Sequence, residues 1–312
     1  MAVGIVIVVA LLVVVLGLPL VLPDMEQIDL NEETRAAMAG ECFASLSDGV
    51  THYEWVGPED GTPVVLIHGF STPMFVWDKS FGVLAEAGFR VLRYDLYGRG
   101  LSDRPMGEYG YDLFVRQLDE LLDSQHVAEP VHVVGLSMGG SIAVHFADRR
   151  PERVGAMALF APAGIGVAPR GPKMFRIPLL GPWLVRVLAT PMLLRTAPNQ
   201  FSADPAVAEA IRSRYAEQLR YRGYRRALVA TLDAVPMAGQ EAAYGRVGKQ
   251  DRRGLLFWGT DDTVVPYALH ARVRELIPFL DLYTIDGGGH GANYDHADEV
   301  NPVLIEFLKS PE

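Results

Sequence analysis

The sequence has little of what would cross-link the chain or hold a metal ion. Cys42 is its single cysteine, which excludes an intramolecular disulfide and a multi-cysteine metal site but does not identify a cellular compartment. There is no H-x-x-x-H motif or carboxylate cluster to suggest a metal, and no G-x-G-x-x-G after a first strand to suggest a dinucleotide. We therefore predict neither a metal nor a cofactor.

Positive charge is also scarce. The 28 Lys and Arg residues are outnumbered by 38 Asp and Glu residues, which gives a net charge of −10, and no basic stripe runs along the globular part. This balance argues against a nucleic-acid partner. With 312 residues, 49% of them hydrophobic, the chain can bury one large core, or one core with a small lid.

Charge of either sign is absent from residues 2–23, a run dominated by Val, Leu and Ile. A helix needs about 20 apolar residues to cross a bilayer, and this run is long enough. No Lys or Arg precedes it and no A-x-A-like cleavage site follows it, which favours a retained anchor over a cleaved secretory signal. We therefore predict a protein held at a membrane by residues 1–23, on a side that the sequence does not name, with secretion after cleavage as the alternative.

Most of the remaining chain alternates short apolar strands with helical segments. This rhythm indicates an α/β fold with a mostly parallel central sheet and helices on both of its faces. Seven strands are predicted, at His52–Val56, Val64–Ile67, Arg90–Tyr94, Val131–Val134, Ala156–Phe160, Gly254–Trp258 and Leu280–Ile285.

The rhythm changes after Gly164, where strand signals are replaced by Pro, Arg, Leu and aromatic residues. We interpret this part as a helical cap inserted over one edge of the sheet. The predicted organisation is an anchor (1–23), a linker or lead-in (24–48), a first part of the core (49–164), the cap (165–226) and a second part of the core (227–312).

Ser137 lies in the stretch Gly135–Gly140, between an apolar strand and an Ala-rich helical pattern. A serine on so sharp a turn is held in strained backbone geometry, and small residues two positions either side let strand and helix approach closely. Its hydroxyl should therefore emerge at the carboxyl edge of the sheet. The N–H of Met138 should point the same way, at the positive end of the helix dipole.

A serine hydroxyl needs a positioned base, and the base needs an orienting acid. Asp262 follows the strand Gly254–Trp258, and His290 follows the strand Leu280–Ile285. Both residues should open on the edge of the sheet where Ser137 stands. The order Ser, Asp, His along the chain is the one expected for this kind of strand–turn–helix elbow.

With these motifs the chain resembles the α/β-hydrolase superfamily, and within it a serine esterase or lipase-like branch with a helical cap. The resemblance extends from about His52 to Leu308. It is carried by His68-Gly69-Phe70, Asp95 to Asp103, Gly135-Leu136-Ser137-Met138-Gly139-Gly140, Gly259-x-x-Asp262 and Gly289-His290.

The resemblance implies a role for each member of the site. Ser137 is the nucleophile, His290 the general base, and Asp262 the acid that fixes the imidazole tautomer. The backbone N–H groups of Phe70 and Met138 form the oxyanion hole.

Some of these assignments have rivals in the sequence. Asp261 is adjacent to Asp262, and the family spacing after the glycine favours the second. His68 is expected to organise its loop, while His270 and His296 do not directly follow a strand and are expected at the surface or behind the site.

Hydrolysis of carboxylic esters through an acyl-serine intermediate is the reaction that we expect first, because an alkoxide leaving group needs less help than an amine. The expected partner is a small-molecule ester. The anchor and the apolar stretch Pro178–Leu194 suggest that it is lipophilic and reached from a bilayer surface.

The alternative reaction is hydrolysis of a carbon–carbon bond in diketone substrates of the meta-cleavage type, which some members similar to this chain perform with the same triad. Such substrates are polyanionic and call for an arginine in the pocket, for which Arg176 or Arg186 could serve. A cofactor-free peroxidase activity is a side alternative. A non-catalytic binding protein of the same fold is the remaining hypothesis.

Overall fold

The computed structural model describes residues 24–166, 173–177, 180–202 and 204–310, together with residues 6, 13 and 17. Eight strands form one sheet, namely β1 (Cys42–Leu46), β2 (Gly49–Val56), β3 (Pro63–Ile67), β4 (Arg90–Tyr94), β5 (Val131–Leu136), β6 (Val154–Phe160), β7 (Gly254–Gly259) and β8 (Leu280–Ile285). The helices are α1 (Glu32–Ala36), α2 (Asp78–Glu86), α3 (Tyr111–Ser124), α4 (Met138–Arg149), α5 (Leu180–Leu184), α6 (Thr190–Thr196), α7 (Pro205–Gln218), α8 (Tyr224–Ala234), α9 (Glu241–Val247), α10 (Leu269–Leu276), α11 (Ala292–Asp295) and α12 (Ala297–Lys309).

The strands lie in the order β1-β2-β4-β3-β5-β6-β7-β8. β2 pairs antiparallel with both β1 and β4, while every pair from β4 onwards is parallel. The carboxyl ends of β3 to β8 therefore meet at one edge of the sheet. Side chains that follow these strands are brought to this edge.

Both faces of the sheet are buried, which is why its central strands are apolar without alternation. Along β3, Val64 and Leu66 belong to one hydrophobic cluster, and Val65 and Ile67 belong to the other. Because successive side chains of a strand point to opposite faces, one strand serves both layers.

Amphipathic helices cover the two layers. Phe114 of α3 and Ile142 of α4 pack in the same layer as Val65, whereas Phe81 of α2 and Leu304 of α12 pack in the layer of Val64. The seven strands predicted from the sequence correspond to β2–β8. The predicted mostly parallel sheet with helices on both faces is confirmed.

The lead-in, residues 24–48, differs in detail from what its polar composition indicates. It contains the short helix α1 and then β1, which pairs with β2 through partners such as Ala44 and Thr51. In the predicted cap, the described residues of 165–226 form helices and turns, apart from an isolated β-bridge between Ile28 and Tyr221. The division of the chain into five parts remains a prediction.

The predicted membrane localisation is contradicted. In the part of the chain that the structure describes, no helix is long and apolar enough to span a bilayer. The segment on which the prediction was placed, residues 1–23, lies outside the described residues except for Val6, Val13 and Gly17.

Candidate active site

Ser137 lies on a sharp turn between β5 and α4. Its backbone has φ 55° and ψ −118°, and a positive φ is strained for any residue with a Cβ. Its N–H donates to the carbonyl of Phe160 at 2.8 Å, so the end of β6 holds the turn in place.

The glycines around Ser137 are required by close backbone contacts. A Cβ at Gly139 would lie 2.3 Å from the carbonyl oxygen of Ile67, and one at Gly135 would lie 2.5 Å from the carbonyl oxygen of Gly139. Strand and helix therefore approach as closely as the sequence pattern predicts. The same packing places the amino end of α4 directly behind the serine.

Asp262 and His290 form a buried pair at the same edge of the sheet. Oδ2 of Asp262 lies 2.8 Å from Nδ1 of His290, and their side chains are 0% and 7% exposed. Oδ1 of Asp262 accepts the N–H groups of Val264 and Val265 at 2.8 and 2.9 Å, which fixes the plane of the carboxylate. A carboxylate at Nδ1 favours the tautomer in which Nε2 is free to accept a proton.

Asp261, the rival acid, does not occupy this position. It is exposed, and its carboxylate lies 3.3 Å from the hydroxyl of Thr260. Of the two adjacent carboxylates, the structure brings the one of Asp262 to His290. Ser137 follows β5, and Asp262 and His290 follow the parallel strands β7 and β8, so the turns that carry all three share one edge of the sheet.

The loop that contains Phe70 packs against the serine turn. A Cβ placed on Gly69 would lie only 3.6 Å from Cβ of Ser137. The carbonyl of Phe70 accepts a hydrogen bond of 2.7 Å from Nε of Arg99, whose guanidinium lies 5.4 Å from the centre of the Phe70 ring. Met138 is the first residue of α4, so its N–H is among those that a helix leaves without an internal partner.

Two tyrosines of the predicted cap region bind the same loop through hydrogen bonds. The hydroxyl of Tyr215 lies 2.6 Å from that of Ser71, and the hydroxyl of Tyr224 donates to the carbonyl of Ser71 at 2.8 Å. Arg99 is fully buried, and burial lowers its pKa to about 10, so it keeps its charge at neutral pH. The sequence analysis did not identify these three side chains, although Arg99 lies inside the Asp95 to Asp103 motif.

Two further histidines that the sequence analysis considered, His68 and His270, have other partners. His68 is fully buried, accepts the N–H of Leu96 at 2.9 Å, and bonds the carbonyl of Gly69 at 2.9 Å. Burial lowers the pKa of His68 to about 4, so it is neutral and organises its loop as expected. The ring of His270, in α10, packs on the ring of Tyr267 with 4.5 Å between the ring centres.

Two neighbouring cavities share part of their lining, including Val185 and Arg225, and the smaller one is also lined by Phe70. The smaller, of about 120 Å³, is almost wholly apolar, and we call it the apolar cavity; its lining includes Phe70, Leu193, Leu219, Tyr224, Arg225 and Leu228. The larger, of about 600 Å³, is the charged cavity; its lining includes Asp24, Glu26, Arg186, Arg225, Arg226 and Asp233. Arg186 lines the charged cavity, while the side chain of Arg176 lies outside the described part of the chain, so a role for either in substrate binding stays a prediction.

One group of side chains outside these cavities has the residue types of a metal site. Ligand atoms of Glu41, His52 and Glu54 lie within 4.8 Å of one another. However, Nε2 of His52 is 2.6 Å from the carboxylate of Glu41, and the carboxylate of Glu54 is bound by Arg93 at 2.6 Å. A histidine held between carboxylates retains its proton, which competes with a metal, and we assign no ion to this group.

Comparison with known proteins identifies the family to which this fold belongs. The model of the alpha/beta hydrolase family matches residues 64–303. A protein of Comamonas testosteroni named 2-hydroxy-6-oxo-6-phenylhexa-2,4-dienoate hydrolase is 29% identical over 290 residues, which cover 90% of this chain and 99% of that protein. A Burkholderia vietnamiensis protein named 2-hydroxy-6-oxononadienedioate/2-hydroxy-6-oxononatrienedioate hydrolase is 32% identical over 270 residues, covering 83% of this chain and 90% of its own length.

Solved structures give the same result. The 2-hydroxy-6-oxo-6-phenylhexa-2,4-dienoate hydrolase from Rhodococcus sp. strain RHA1 is similar with a TM-score of 0.72 and 25% sequence identity, over 86% of this chain and 98% of that one. The match with the family model spans most of the chain, including the serine turn, the acid loop and the histidine loop. The chain therefore belongs to the α/β hydrolase family, and it is a hydrolase.

Proposed function

We propose that this enzyme hydrolyses a carbon–carbon bond in a vinylogous diketone acid, with Ser137, His290 and Asp262 as its catalytic residues. One observation carries the choice of reaction. Relatives named as hydrolases of 2-hydroxy-6-oxo acids match this chain over 83–90% of its length and over 90–99% of their own. This support favours the carbon–carbon reaction over the ester hydrolysis that the sequence analysis placed first.

The first step uses the serine and the histidine. Nε2 of His290 takes the proton of the Ser137 hydroxyl as the oxygen attacks the ketone carbon, and Asp262 stabilises the imidazolium that forms. The negative charge on the former ketone oxygen is stabilised by the N–H groups of Phe70 and Met138. One such donor typically contributes about 3–4 kcal/mol to lowering the barrier.

The second step breaks the carbon–carbon bond. As the tetrahedral centre collapses, the electron pair of the bond passes into the neighbouring unsaturated acid, where conjugation with its carbonyl spreads the charge as a dienolate. His290 returns its proton to this leaving group. A bond that would otherwise release a carbanion is cleaved because the leaving carbon is conjugated.

The third step restores the serine. Water, deprotonated by His290, attacks the acyl group on Ser137, and a second oxyanion forms in the same place. Collapse releases a carboxylic acid and returns the proton to the serine oxygen. All three steps use the same base and the same two N–H donors, so one geometry serves the whole reaction.

Carboxylic ester hydrolysis is the second candidate, and the apolar cavity favours it. Leu193, Leu219 and Leu228 line a space next to Phe70 that suits an acyl chain. The acyl-serine intermediate is common to both reactions. What differs is whether the group that leaves is an alkoxide or a conjugated carbanion.

The test compares both reactions on one preparation. Cleavage of a 6-phenyl vinylogous diketone acid is followed by loss of its dienolate absorbance, beside turnover of p-nitrophenyl esters of two to eight carbons. We expect the ratio of kcat/KM to favour the diketone acid. A kcat/KM for an ester that is more than about tenfold higher than the value for the diketone acid would overturn the proposal. This factor corresponds to a difference of about 1.4 kcal/mol in activation free energy.

Ser137→Ala provides the control for both substrates. It should abolish labelling by a fluorophosphonate probe and lower turnover of both substrate types together. Retained turnover by this variant would remove the serine from the mechanism.

A further inference from the structure

A segment that precedes the family-matched region lies across the predicted cap. We call residues 24–30 the strap. The N–H groups of Gln27 and Ile28 donate to the carbonyl of Arg220 at 2.7 and 2.8 Å, and the N–H of Arg222 donates to the carbonyl of Ile28 at 2.9 Å. The strap is thereby fixed to the chain segment that leads into α8.

The strap places two carboxylates on one arginine. Oδ1 of Asp24 lies 2.5 Å from Nη2 of Arg225, and Oε1 of Glu26 lies 3.2 Å from its Nε. Glu26 also accepts the backbone N–H of Arg225 at 2.8 Å. The Nε and Nη2 edge of this guanidinium, one of the two edges at which it can bind a carboxylate through two hydrogen bonds, is therefore already filled.

Arg225 stands where the two cavities meet. It lines both the apolar cavity, which Phe70 also lines, and the charged cavity. Its side chain is only 13% exposed, so a group that reaches it is largely shielded from water. Because the apolar cavity is lined both by Phe70 of the proposed oxyanion hole and by Arg225, an acyl arm bound in it would come close to this arginine.

The described side chains that line the charged cavity around Arg225 carry equal numbers of positive and negative charges. Among the residues that the structure describes, the charged cavity is lined by three cationic and three anionic ones, namely Arg186, Arg225, Arg226, Asp24, Glu26 and Asp233. Two of the three anions belong to the strap. Burial by itself raises the pKa of Asp24, but the hydrogen bond from the Glu26 N–H and the pair with Arg225 outweigh it and lower that pKa, so Asp24 is ionised at neutral pH.

We propose that Asp24 and Glu26 determine specificity by excluding substrates whose acyl arm ends in a carboxylate. This rests on the proposed acyl-serine chemistry at Ser137 and names the substrate class within it. The arm bound in the apolar cavity is uncharged, and the single acid group of the substrate lies on the part that leaves. A second carboxylate on the acyl arm meets the like charges of the strap instead of an open guanidinium.

The test uses two pairs of substrates that differ at the end of the acyl arm. One pair is p-nitrophenyl hexanoate and mono-p-nitrophenyl adipate. The other is a diketone acid with a 6-phenyl group and one with a 6-carboxyethyl group. The wild type is compared with Asp24→Asn, Glu26→Gln and the double variant. Asp29→Asn is the control, because Asp29 belongs to the same strap and pairs with Arg222 at 3.3 Å where both side chains are more than half exposed.

We expect the wild type to prefer the uncharged arm in both pairs, and the double variant to reduce that preference, measured as the ratio of kcat/KM for the two arms, by about tenfold. Asp29→Asn should leave the preference unchanged. An equal loss on charged and uncharged arms, or an unaltered preference in the double variant, would overturn the inference.

One further measurement and one comparison of outcomes complete the test. Raising the salt concentration from about 0.05 to 1 M should reduce the wild-type preference for the uncharged arm, because Asp24 is partly exposed and salt screens its charge. If the variants do not fold, a wild-type preference that does not change with salt overturns the inference. If neither diketone acid is cleaved but the ester preference shifts, the proposed carbon–carbon reaction fails and the specificity assignment stands. If the diketone acids are cleaved without any shift, only the specificity assignment fails.

Discussion

The carboxylate of Asp262 lies 2.8 Å from Nδ1 of His290, while the adjacent carboxylate of Asp261 is exposed and lies near Thr260. Two neighbouring residues of the same type therefore differ completely in environment. Asp262 follows β7 by three residues, and its other oxygen is held by two backbone N–H groups of its own loop. This arrangement supports the orienting function that we propose for Asp262, whereas Asp261 is exposed to solvent.

Asp262→Asn should lower kcat by about a thousandfold to ten-thousandfold, because an amide at this position favours the wrong tautomer of His290. KM should change little, since the acid does not contact the substrate. Asp261→Asn is the matched control and should retain kcat within about twofold. Equal losses in the two variants would contradict the assignment, and steady-state kinetics on the diketone acid provides the measurement.

Gly139→Ala should destabilise the protein by about 2–3 kcal/mol, because its Cβ would overlap backbone atoms that cannot move away. The nearest of these is the carbonyl oxygen of Ile67 at 2.3 Å. Gly82→Ala is the control, because no atom lies within 4 Å of a Cβ built in the middle of α2. That variant should gain up to about 1 kcal/mol from helix propensity, and urea unfolding midpoints distinguish the two outcomes.

The central strands, and the order in which the candidate catalytic residues follow them along the chain, could be predicted from the sequence because their signals are local. Apolar runs such as Val131–Leu136 are buried on both faces, and each ends in a turn whose composition is distinctive. Parallel pairing then brings the strand ends together without any further information. The serine turn could be located because the close contacts of Gly135 and Gly139 require glycine.

β1 was missed because its signal is not local. In Cys42–Leu46 only Ala44 is buried, so the strand has almost no apolar periodicity of its own. The strand forms because it pairs with β2, and this pairing cannot be recognised from the residues of β1 alone. The polar residues around it were consequently interpreted as a linker.

The strap could not be predicted for the same reason. Asp24 and Arg225 are separated by 201 positions, and their pairing follows from how the predicted cap folds back over the chain. The apolar composition of residues 2–23 suggested an anchor, but this segment lies outside the described residues except for Val6, Val13 and Gly17. The described chain contains no helix that could span a membrane.

His52→Gln should cost stability in a pH-dependent way. Burial alone would lower the pKa of His52, but its hydrogen bonds to Asp95 and Glu41 and their charges outweigh burial and raise that pKa above 6.5. A raised pKa contributes stability that is fully present below the unfolded value and is lost as pH rises through the folded value. The variant should therefore be about 2–3 kcal/mol less stable near pH 6, and the deficit should shrink towards pH 9.

Thermal unfolding across that range measures the effect. His296→Gln is the control, because this histidine is partly exposed and lies 3.7 Å from Glu299. Its deficit should be small at every pH. A deficit for His52→Gln that grows with pH would contradict the protonated state assigned to the buried histidine.

Tyr224→Phe should impair catalysis more than its effect on stability accounts for. Its hydroxyl donates to the carbonyl of Ser71 at 2.8 Å, one residue after the Phe70 N–H that we assign to the oxyanion hole. Without this bond the loop keeps its contacts with Arg99 and with the hydroxyl of Tyr215, but loses the hydrogen bond to its backbone at Ser71. We expect kcat to fall about tenfold with KM nearly unchanged, because a loosely held donor weakens the transition state more than the bound substrate.

Tyr109→Phe separates positioning from simple loss of a hydrogen bond. Tyr109 is equally buried, and its hydroxyl donates to the carbonyl of Pro105 at 2.9 Å, away from the Phe70 loop. Both variants should lose about 1 kcal/mol of stability, since each removes one hydroxyl from one carbonyl. Only Tyr224→Phe should also bind a boronic acid analogue of the tetrahedral intermediate about tenfold more weakly, because that ligand alone requires the oxyanion donors to be in place.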